Sequence, residues 1–213
     1  MVYLFDLDGT IIDSQIGITR GLAYAIEKMK LPKLPQERLI EFIGPSFVEI
    51  FPLAFGLDFN DTKKMIAYYR EYYSKKGKDE CVLYDGMYEL LKDLNSEGHH
   101  LYMATAKPEN LAREISESLD IYKFFKGLVG ATEDESRHKK EDVIEELIRR
   151  HGPLEKAYMI GDRASDLIAA KKKKMGSIGV LYGFAKDGEL ERENPDYICK
   201  DVPSLRKLLL EKL

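Results

Sequence analysis

Near its start the chain reads VYLFDLDGT, from Val2 to Thr10. The first four residues of this stretch are apolar and strand-forming, and two aspartates, Asp6 and Asp8, follow within three residues. Because side chains alternate along an extended chain, both carboxylates lie on the same side at the carboxyl end of the strand. Gly9 then permits a turn close to a ligand. Two like charges this close repel each other, so the pair needs a cation or a shared proton.

Strand-like and helix-like segments alternate over most of the remaining chain. Short apolar runs recur at 101–104, 128–129, 157–160 and 178–181, and amphipathic helical stretches with glycine or proline stops lie between them. Strands that are apolar throughout are typical of a parallel sheet covered on both faces. The pattern predicts an α/β fold with a Rossmann-like, doubly wound parallel sheet.

One long segment interrupts this alternation. Residues 15 to 80 contain helical patterns only, with no strand-like run among them. The simplest interpretation is an all-helical domain, residues 14–83, inserted after the first strand. The α/β core domain would then consist of residues 1–13 and 84–213.

The composition restricts the class of protein. Apolar residues make up 44% of the chain and charged residues 33%, as in a globular protein, and the formal net charge is −4. This charge attracts neither nucleic acid nor an anionic membrane, so we expect a small ligand held by local positive charge. Two cysteines and no membrane-length apolar run predict a reducing, cytoplasmic setting without a signal peptide. We expect a monomer or homodimer.

A second acidic motif follows the apolar run at 157–160. Asp162 stands at the tip of this predicted strand, and Asp166 follows four residues later, so both can face one site at a helix start. Helix capping alone would account for Asp162, but not for a second acid or for the shared strand-end position with Asp6. A carboxylate-rich site without histidine favours a hard cation, and we predict Mg²⁺.

A hydroxyl and a lysine complete the candidate set. Thr105 directly follows the second strand-like run, and with Ala106 and Lys107 it lies where the N–H groups of a helix start could bind an anion. Lys139 and Lys140 precede a helical run, and a lysine there would offset phosphate and carboxylate charge. The residue pattern alone leaves both lysines open.

In this order and spacing, the motifs resemble those of the haloacid dehalogenase superfamily of phosphatases, over essentially the whole chain. The matching pieces are Asp6-x-Asp8-Gly9-Thr10, Thr105, a lysine before a helix, and Gly161-Asp162-x-x-x-Asp166. The helical insertion is similar to the family's α-helical cap. Residues 179–184, 189–190 and 195–198 are typical of the phosphoglycolate phosphatase group.

The resemblance implies a mechanism. Asp6 attacks phosphorus and forms an aspartyl-phosphate, and Asp8 protonates the leaving oxygen and later accepts a proton from water. Mg²⁺ is bound by the Asp6 carboxylate, the Asp8 backbone carbonyl and Asp162, with Asp166 orienting the site or a metal-bound water. Thr105 binds phosphoryl oxygens.

The catalytic lysine and the substrate contacts follow from the same comparison. Lys140 fits the register of related sequences better, but the chain departs from the usual Lys-Pro form, so Lys139 stays open. Further candidates for phosphate or substrate binding are Gly9, Thr10, Ala106 and Lys107 in the core, and Gly44, Pro45, Ser46 and Arg20 in the cap. Lys107 and Arg20 are candidates for holding an anionic tail of the substrate.

Other activities remain open at this stage. The phosphatase would act on a phosphoglycolate-type metabolite, while the alternatives on the same core are a β-phosphoglucomutase-type phosphomutase, a nucleotidase or a pyrophosphatase. A phosphonate-cleaving enzyme would need a cap lysine, and those near residue 30 are not convincingly placed. A phospho-accepting receiver domain usually has about 120 residues, lacks a helical insertion and carries its acceptor aspartate two strands after its acidic pair.

Overall fold

The computed structural model describes residues 1–213 and contains eight strands and ten helices. The strands are β1 (Val2–Phe5), β2 (Ile12–Asp13), β3 (Val82–Leu83), β4 (His100–Pro108), β5 (Gly127–Ala131), β6 (Ala157–Gly161), β7 (Gly176–Val180) and β8 (Tyr197–Cys199). The helices are α1 (Gln15–Lys28), α2 (Gln36–Ile40), α3 (Phe47–Phe55), α4 (Phe59–Tyr73), α5 (Met87–Ser96), α6 (Glu109–Ser118), α7 (Lys140–His151), α8 (Ala164–Lys172), α9 (Glu189–Arg192) and α10 (Val202–Glu211).

Six strands form one parallel sheet in the order β5-β4-β1-β6-β7-β8. The strands β2 and β3 form a separate two-stranded sheet. The chain builds outward from β1 on one side with β4 and β5, and then returns to build the other side with β6, β7 and β8. In such sheets ligands bind in the crevice at the carboxyl ends of the strands, where the winding direction reverses. Here that point is the carboxyl end of β1.

Alternation along β1 explains why helices cover both faces of the sheet. Leu4 belongs to a buried apolar cluster that includes Val143 of α7, and α7 and α8 pack on this face. Tyr3 points to the opposite face, where its hydroxyl donates a hydrogen bond to the carbonyl oxygen of Leu209 in α10. Both faces therefore need apolar side chains, which gives the strand its continuous hydrophobic run. The predicted α/β fold with a doubly wound parallel sheet is confirmed.

The chain divides into two compact units. One unit comprises Met1–Ile12 and Leu83–Leu213, and the other comprises Asp13–Val82. The second unit contains only helices α1 to α4, apart from the ends of the two short strands, and its core lies between α1 and α4. The domain edges predicted from the sequence were residues 14 and 83.

The helices of the inserted unit differ in detail from the sequence-based expectation. In the sequence, Leu39, Ile40, Phe42 and Ile43 form one helical pattern, but α2 ends at Ile40, and Phe42 and Ile43 are buried beyond its end. The next helix, α3, was not anticipated. It is apolar on most sides, and its Phe51 is fully buried, with the ring of Phe47 stacked on it at a centroid distance of 4.6 Å. Its short length of nine residues and its internal Pro52 both argue against a helix at the level of sequence.

The core also contains elements that the sequence analysis did not identify. The strand β8 and the helix α10 both lie near the carboxyl end of the chain. The start of α10 carries a reciprocal cap, because Asp201 accepts from the Ser204 backbone N–H and the Ser204 hydroxyl oxygen accepts from the Asp201 N–H. An acid followed three residues later by a serine is a weak form of the capping signal, and it was overlooked.

None of the ten helices combines the length and the apolar character that crossing a bilayer requires.

Candidate active site

Three strand ends position the predicted site. Asp6 directly follows β1, Thr105 lies in the last part of β4, and Asp162 directly follows β6. Because β1 is hydrogen-bonded to β4 on one side and to β6 on the other, these residues meet at one edge of the sheet.

A cluster of three buried aspartates forms at this edge. Asp6, Asp162 and Asp166 each contribute a carboxylate oxygen, and these oxygens lie within 4.8 Å of one another. Asp166 reaches the cluster from the first turn of α8, where its other role is to accept a hydrogen bond from the Arg163 backbone N–H. The structure thus brings together three acids that the sequence placed at two strand ends, Asp6 after β1 and the other two after β6.

Lys140 connects two of these acids. Its Nζ lies 2.9 Å from Asp6 Oδ2 and 2.9 Å from Asp166 Oδ1, and it donates to the carbonyl oxygen of Ala104 at 3.0 Å. The side chain is only 2% exposed. Burial works to lower the pKa of Lys140, but the Asp166 and Asp6 carboxylates outweigh this effect and raise it, so the group remains an ammonium. Lys139 is the exposed residue before α7.

Asp162 and Asp166 are destabilised in their charged form. Burial, followed by the negative charges of Asp166 and Asp6, raises the pKa of Asp162 well above its usual value. Burial also raises the pKa of Asp166 to about 6, against the opposing effect of the Lys140 ammonium. Three carboxylates against one ammonium leave an excess of two negative charges in this cluster when all are ionised.

This excess charge and the donor set fit a divalent cation. All the donors of the cluster are carboxylate oxygens, without imidazole or thiolate, which is the ligand set of a hard cation such as Mg²⁺. Asp166 Oδ1 is buried and has the Lys140 ammonium as an ion-pair partner, but it accepts no hydrogen bond of good geometry. We conclude that the site has both the charge and the oxygen ligands to hold a divalent metal ion.

Asp8 lies outside the three-acid cluster and pairs with Lys107. The Lys107 Nζ lies 2.9 Å from Asp8 Oδ1 and 2.7 Å from Asp8 Oδ2, and Lys107 is 7% exposed. Sequence reasoning treated Lys107 as a cation for the tail of a substrate. The ammonium is buried and already bound to Asp8, so an anionic substrate would have to compete with this carboxylate, and the substrate contact stays a prediction.

The surroundings of Thr105 also differ from the expectation. We expected the strand to end at residue 104, but β4 continues to Pro108, and α6 begins directly after it at Glu109. The N–H of Lys107 donates to the Thr105 hydroxyl oxygen at 3.2 Å, and Pro108 has no N–H. The strand is therefore longer than expected, and an anion there would rely on the Thr105 hydroxyl and the neighbouring backbone N–H groups.

Gly9 and Thr10 contact Asp162. Gly9 has a φ of +76°, and a Cβ atom there would lie 2.1 Å from Asp162 Oδ2, so only glycine fits. Thr10 is fully buried, and its hydroxyl donates to Asp162 Oδ1 at 3.3 Å. The side chain of Thr10, which was a candidate for binding phosphate, is therefore engaged with an acid of the cluster.

A further segment at the site was not identified as functional from the sequence. The loop of Tyr182, Gly183 and Phe184 follows β7, and the Phe184 backbone N–H donates to Asp162 Oδ2 at 2.8 Å. In the sequence, residues 179–184 are noted only as typical of the phosphoglycolate phosphatase group. A backbone N–H carries no residue-type signal, so no pattern could have identified this contact.

The predicted substrate contacts in the inserted unit remain predictions. Gly44, Pro45 and Ser46 directly precede α3, and Gly44 has a φ of +103°. The guanidinium of Arg20 pairs with Glu80 at 2.6 Å, and its side chain is 61% exposed. An anionic substrate would have to compete with Glu80 for this cation.

Comparisons with known proteins identify the family of this chain. The model of the haloacid dehalogenase-like hydrolase family matches residues 3–180. A 5'-nucleotidase of Pseudomonas aeruginosa is 38% identical over 97% of this chain and 94% of its own length. A tyrosine-protein kinase, PtkA of Mycobacterium tuberculosis, is 33% identical over 97% of this chain and 71% of its own length. A phosphoglycolate phosphatase of Vibrio parahaemolyticus is 23% identical over 96% and 94%.

A solved structure shows the same architecture over the whole chain. The crystal structure of a predicted phosphatase from Clostridium acetobutylicum superimposes with a TM-score of 0.95 at 37% identity, over 99% of this chain and 98% of that chain. The resemblance noted from the motifs is confirmed: the chain belongs to the haloacid dehalogenase-like hydrolase family and is an enzyme of its phosphatase class.

Proposed function

We propose that this enzyme hydrolyses small phosphate monoesters with Mg²⁺, through attack by the Asp6 carboxylate on phosphorus. The observation that supports this proposal is the meeting of three buried aspartates within 4.8 Å, with Lys140 bound to two of them. Asp6 is the acid of this cluster that stands at the tip of the central strand. Its Oδ1 accepts a hydrogen bond from the Leu7 N–H at 2.7 Å, which holds the carboxylate in one orientation.

The proposed reaction has two steps. In the first, an Asp6 oxygen forms a bond to phosphorus while the bond from phosphorus to the leaving oxygen breaks, and Asp8 donates a proton to that oxygen. In the second, water attacks the aspartyl-phosphate and gives a proton to Asp8, which releases inorganic phosphate and restores Asp6. Thr105 donates a hydrogen bond to a phosphoryl oxygen. Lys140 holds Asp6 in place and balances charge.

The cation would be held by the carboxylates of Asp6 and Asp162 and by the backbone carbonyl of Asp8, with Asp166 beside them. When bound, it supplies positive charge that screens the phosphate dianion from the carboxylates. Asp6 can then approach an anionic substrate that the unscreened acids would repel.

For the substrate, the sequence analysis favoured a phosphoglycolate-type metabolite. A second candidate is a nucleoside monophosphate, because the relative named as a 5'-nucleotidase is 38% identical, whereas the relative named as a phosphoglycolate phosphatase is 23% identical. We propose that the inserted unit serves as the cap and that Gly44, Pro45 and Ser46 contact the leaving group. Substrate choice would then reside outside the acid cluster.

A phosphate-release screen tests the proposal. The panel would contain phosphoglycolate, nucleoside 5'-monophosphates, sugar phosphates and pyrophosphate, each with Mg²⁺ and with EDTA. We expect release from at least one monoester with Mg²⁺, and loss of that release with EDTA. Activity that requires a sugar bisphosphate activator and yields an isomerised sugar phosphate would instead indicate a phosphomutase. Release that EDTA leaves unchanged would contradict the metal-dependent mechanism.

The raised carboxyl pKa values predict how Mg²⁺ affects stability. The pKa of Asp166 is about 6, and that of Asp162 is raised well above its usual value, against about 4 in an unfolded chain. Without metal, the folded protein therefore keeps protons that the unfolded chain has released, so its stability falls as the pH rises from about 4 through 6 and above. Bound Mg²⁺ displaces these protons, so its stabilising effect increases over the same range.

Thermal unfolding measures this effect. We expect saturating Mg²⁺ to raise the Tm by roughly 5–10 °C at pH 8, relative to EDTA, and by clearly less at pH 5. Asp162→Asn should lose most of the shift at both pH values. A Mg²⁺-induced shift of the same size at pH 5 and pH 8 would show that these carboxyl groups do not hold the ion.

A further inference from the structure

We propose that the loop of Tyr182, Gly183 and Phe184 is a positioning element that orients Asp162 for the divalent cation. This inference rests on the proposed function, because the cation belongs to that mechanism. Neither the Tyr182 nor the Phe184 side chain is expected to touch the substrate or the ion. The loop would act through its backbone and through one tyrosine hydroxyl.

Two protein groups donate hydrogen bonds to the Asp162 carboxylate. The Phe184 N–H donates to Oδ2 at 2.8 Å, and the Thr10 hydroxyl donates to Oδ1 at 3.3 Å. Asp162 is completely buried, so these protein groups take the place of water around the carboxylate. Each carboxylate oxygen can accept a hydrogen bond and still offer a lone pair to a cation. The two donors therefore fix the plane of the carboxylate and leave it able to bind metal.

Gly183 also restricts Asp162 sterically. A Cβ atom at Gly183 would lie 2.3 Å from Asp162 Cβ and 2.3 Å from the carbonyl oxygen of Gly9. The φ angle of Gly183 is not in the left-handed region, so glycine is required here by contact and not by conformation. The backbone at residue 183 thus packs directly against Asp162 and against Gly9, which lies in the segment that follows Asp6. Asp162 has no space to turn away on this side.

Hydrogen bonds at both ends hold the loop itself in place. The Tyr182 hydroxyl donates to the carbonyl oxygen of Thr10 at 3.0 Å, and its ring packs edge-on against Tyr84 at a centroid distance of 4.8 Å. At the other end, Arg163 donates from Nη1 to the carbonyl oxygen of Phe184 at 3.4 Å. The loop is therefore tied both to the segment after β1 and to the residue that follows Asp162. A movement of the loop would change the relative positions of the acids.

Direct cation binding tests this inference. The Kd for Mg²⁺ of the full chain would be measured by isothermal titration calorimetry for the wild type, Gly183→Ala and Tyr182→Phe. Loss of a group that orients a metal ligand typically weakens binding by roughly 10- to 100-fold, which we expect for Gly183→Ala. Tyr182→Phe keeps the ring and removes one hydrogen bond, so we expect a loss between about 2- and 10-fold.

Gly98→Ala provides the control for general destabilisation. Gly98 has a φ of +82° and no atom within 4 Å of its added Cβ, so alanine there strains the backbone without touching the acids. We expect a lower Tm and a wild-type Kd for this variant. Weakened binding in Gly98→Ala to the same degree as in Gly183→Ala would overturn the inference.

The outcomes separate this inference from the proposed function. If the wild type binds Mg²⁺ and folded Gly183→Ala binds it equally well, the positioning role is wrong while the proposed function stands. If Gly183→Ala does not fold, an unchanged Kd in Tyr182→Phe overturns the inference by itself. If the wild type binds no divalent cation, the metal-dependent proposed function is wrong, and the inference that rests on it is wrong as well.

Discussion

Asp6→Asn is expected to abolish phosphate release while the protein remains folded. An amide does not attack phosphorus as a carboxylate does, and removal of a covalent nucleophile lowers kcat by roughly 10⁴-fold or more. The fold should tolerate the change because the amide oxygen introduced at position 6 can still accept the hydrogen bond from the Leu7 N–H. The substitution also removes one of three mutually repelling carboxylates, while Lys140 keeps its contact with Asp166. In EDTA we therefore expect a Tm that is equal to or higher than that of the wild type.

The measurement is phosphate release from the best substrate of the panel, with the Tm recorded on the same samples. Asp187→Asn is a matched control, since Asp187 is exposed and belongs to the same unit but not to the acid cluster. It should retain full activity. Rapid quenching with a labelled substrate should trap label on the wild type and none on Asp6→Asn. If Asp6→Asn kept more than about a hundredth of the wild-type rate, well above what loss of a nucleophile permits, Asp6 would not be the nucleophile.

The sequence could predict the meeting of Asp6 and Asp162 for a simple physical reason. Each residue directly follows a buried apolar run, and parallel strands present their carboxyl ends at one edge of a sheet. The positions of these residues in the sequence therefore predict where they lie in the fold, without knowledge of any side-chain contact. Thr105 was located at the edge in the same way, although β4 extends further along the chain than expected.

Other contacts at the site depend on side-chain reach and could not be predicted in this way. Lys107 has a flexible four-carbon chain, and only the folded backbone determines that its ammonium meets Asp8. The choice between Lys139 and Lys140 is similar. The two residues are adjacent, and it is the direction in which α7 starts that buries one ammonium and exposes the other. Under the proposed function, substrate choice resides in the inserted unit, and its α3 is a short helix with an internal proline that sequence patterns do not predict.

Lys140→Met should weaken both stability and catalysis. Its ammonium is buried between Asp6 and Asp166, and deleting one partner of a buried ion pair leaves uncompensated charge at a cost of about 3–5 kcal/mol. We expect a loss of this size in the free energy of unfolding in EDTA at pH 8. At pH 5 the loss should be smaller, because the raised pKa of Asp166, about 6, lets that carboxyl take up a proton. We also expect kcat to fall by about 10²–10³-fold.

Lys139→Met is the matched control, because it makes the same chemical change one residue earlier on an exposed side chain. Its free energy of unfolding should stay within about 0.5 kcal/mol of the wild type, as for most surface substitutions. Any small change should be a gain, since a cation at a helix start opposes the helix dipole. Denaturant unfolding and phosphate release on both variants decide between the lysines. Loss of activity in Lys139→Met together with normal stability and activity in Lys140→Met would reverse the assignment and remove the charge balance on which the proposed mechanism depends.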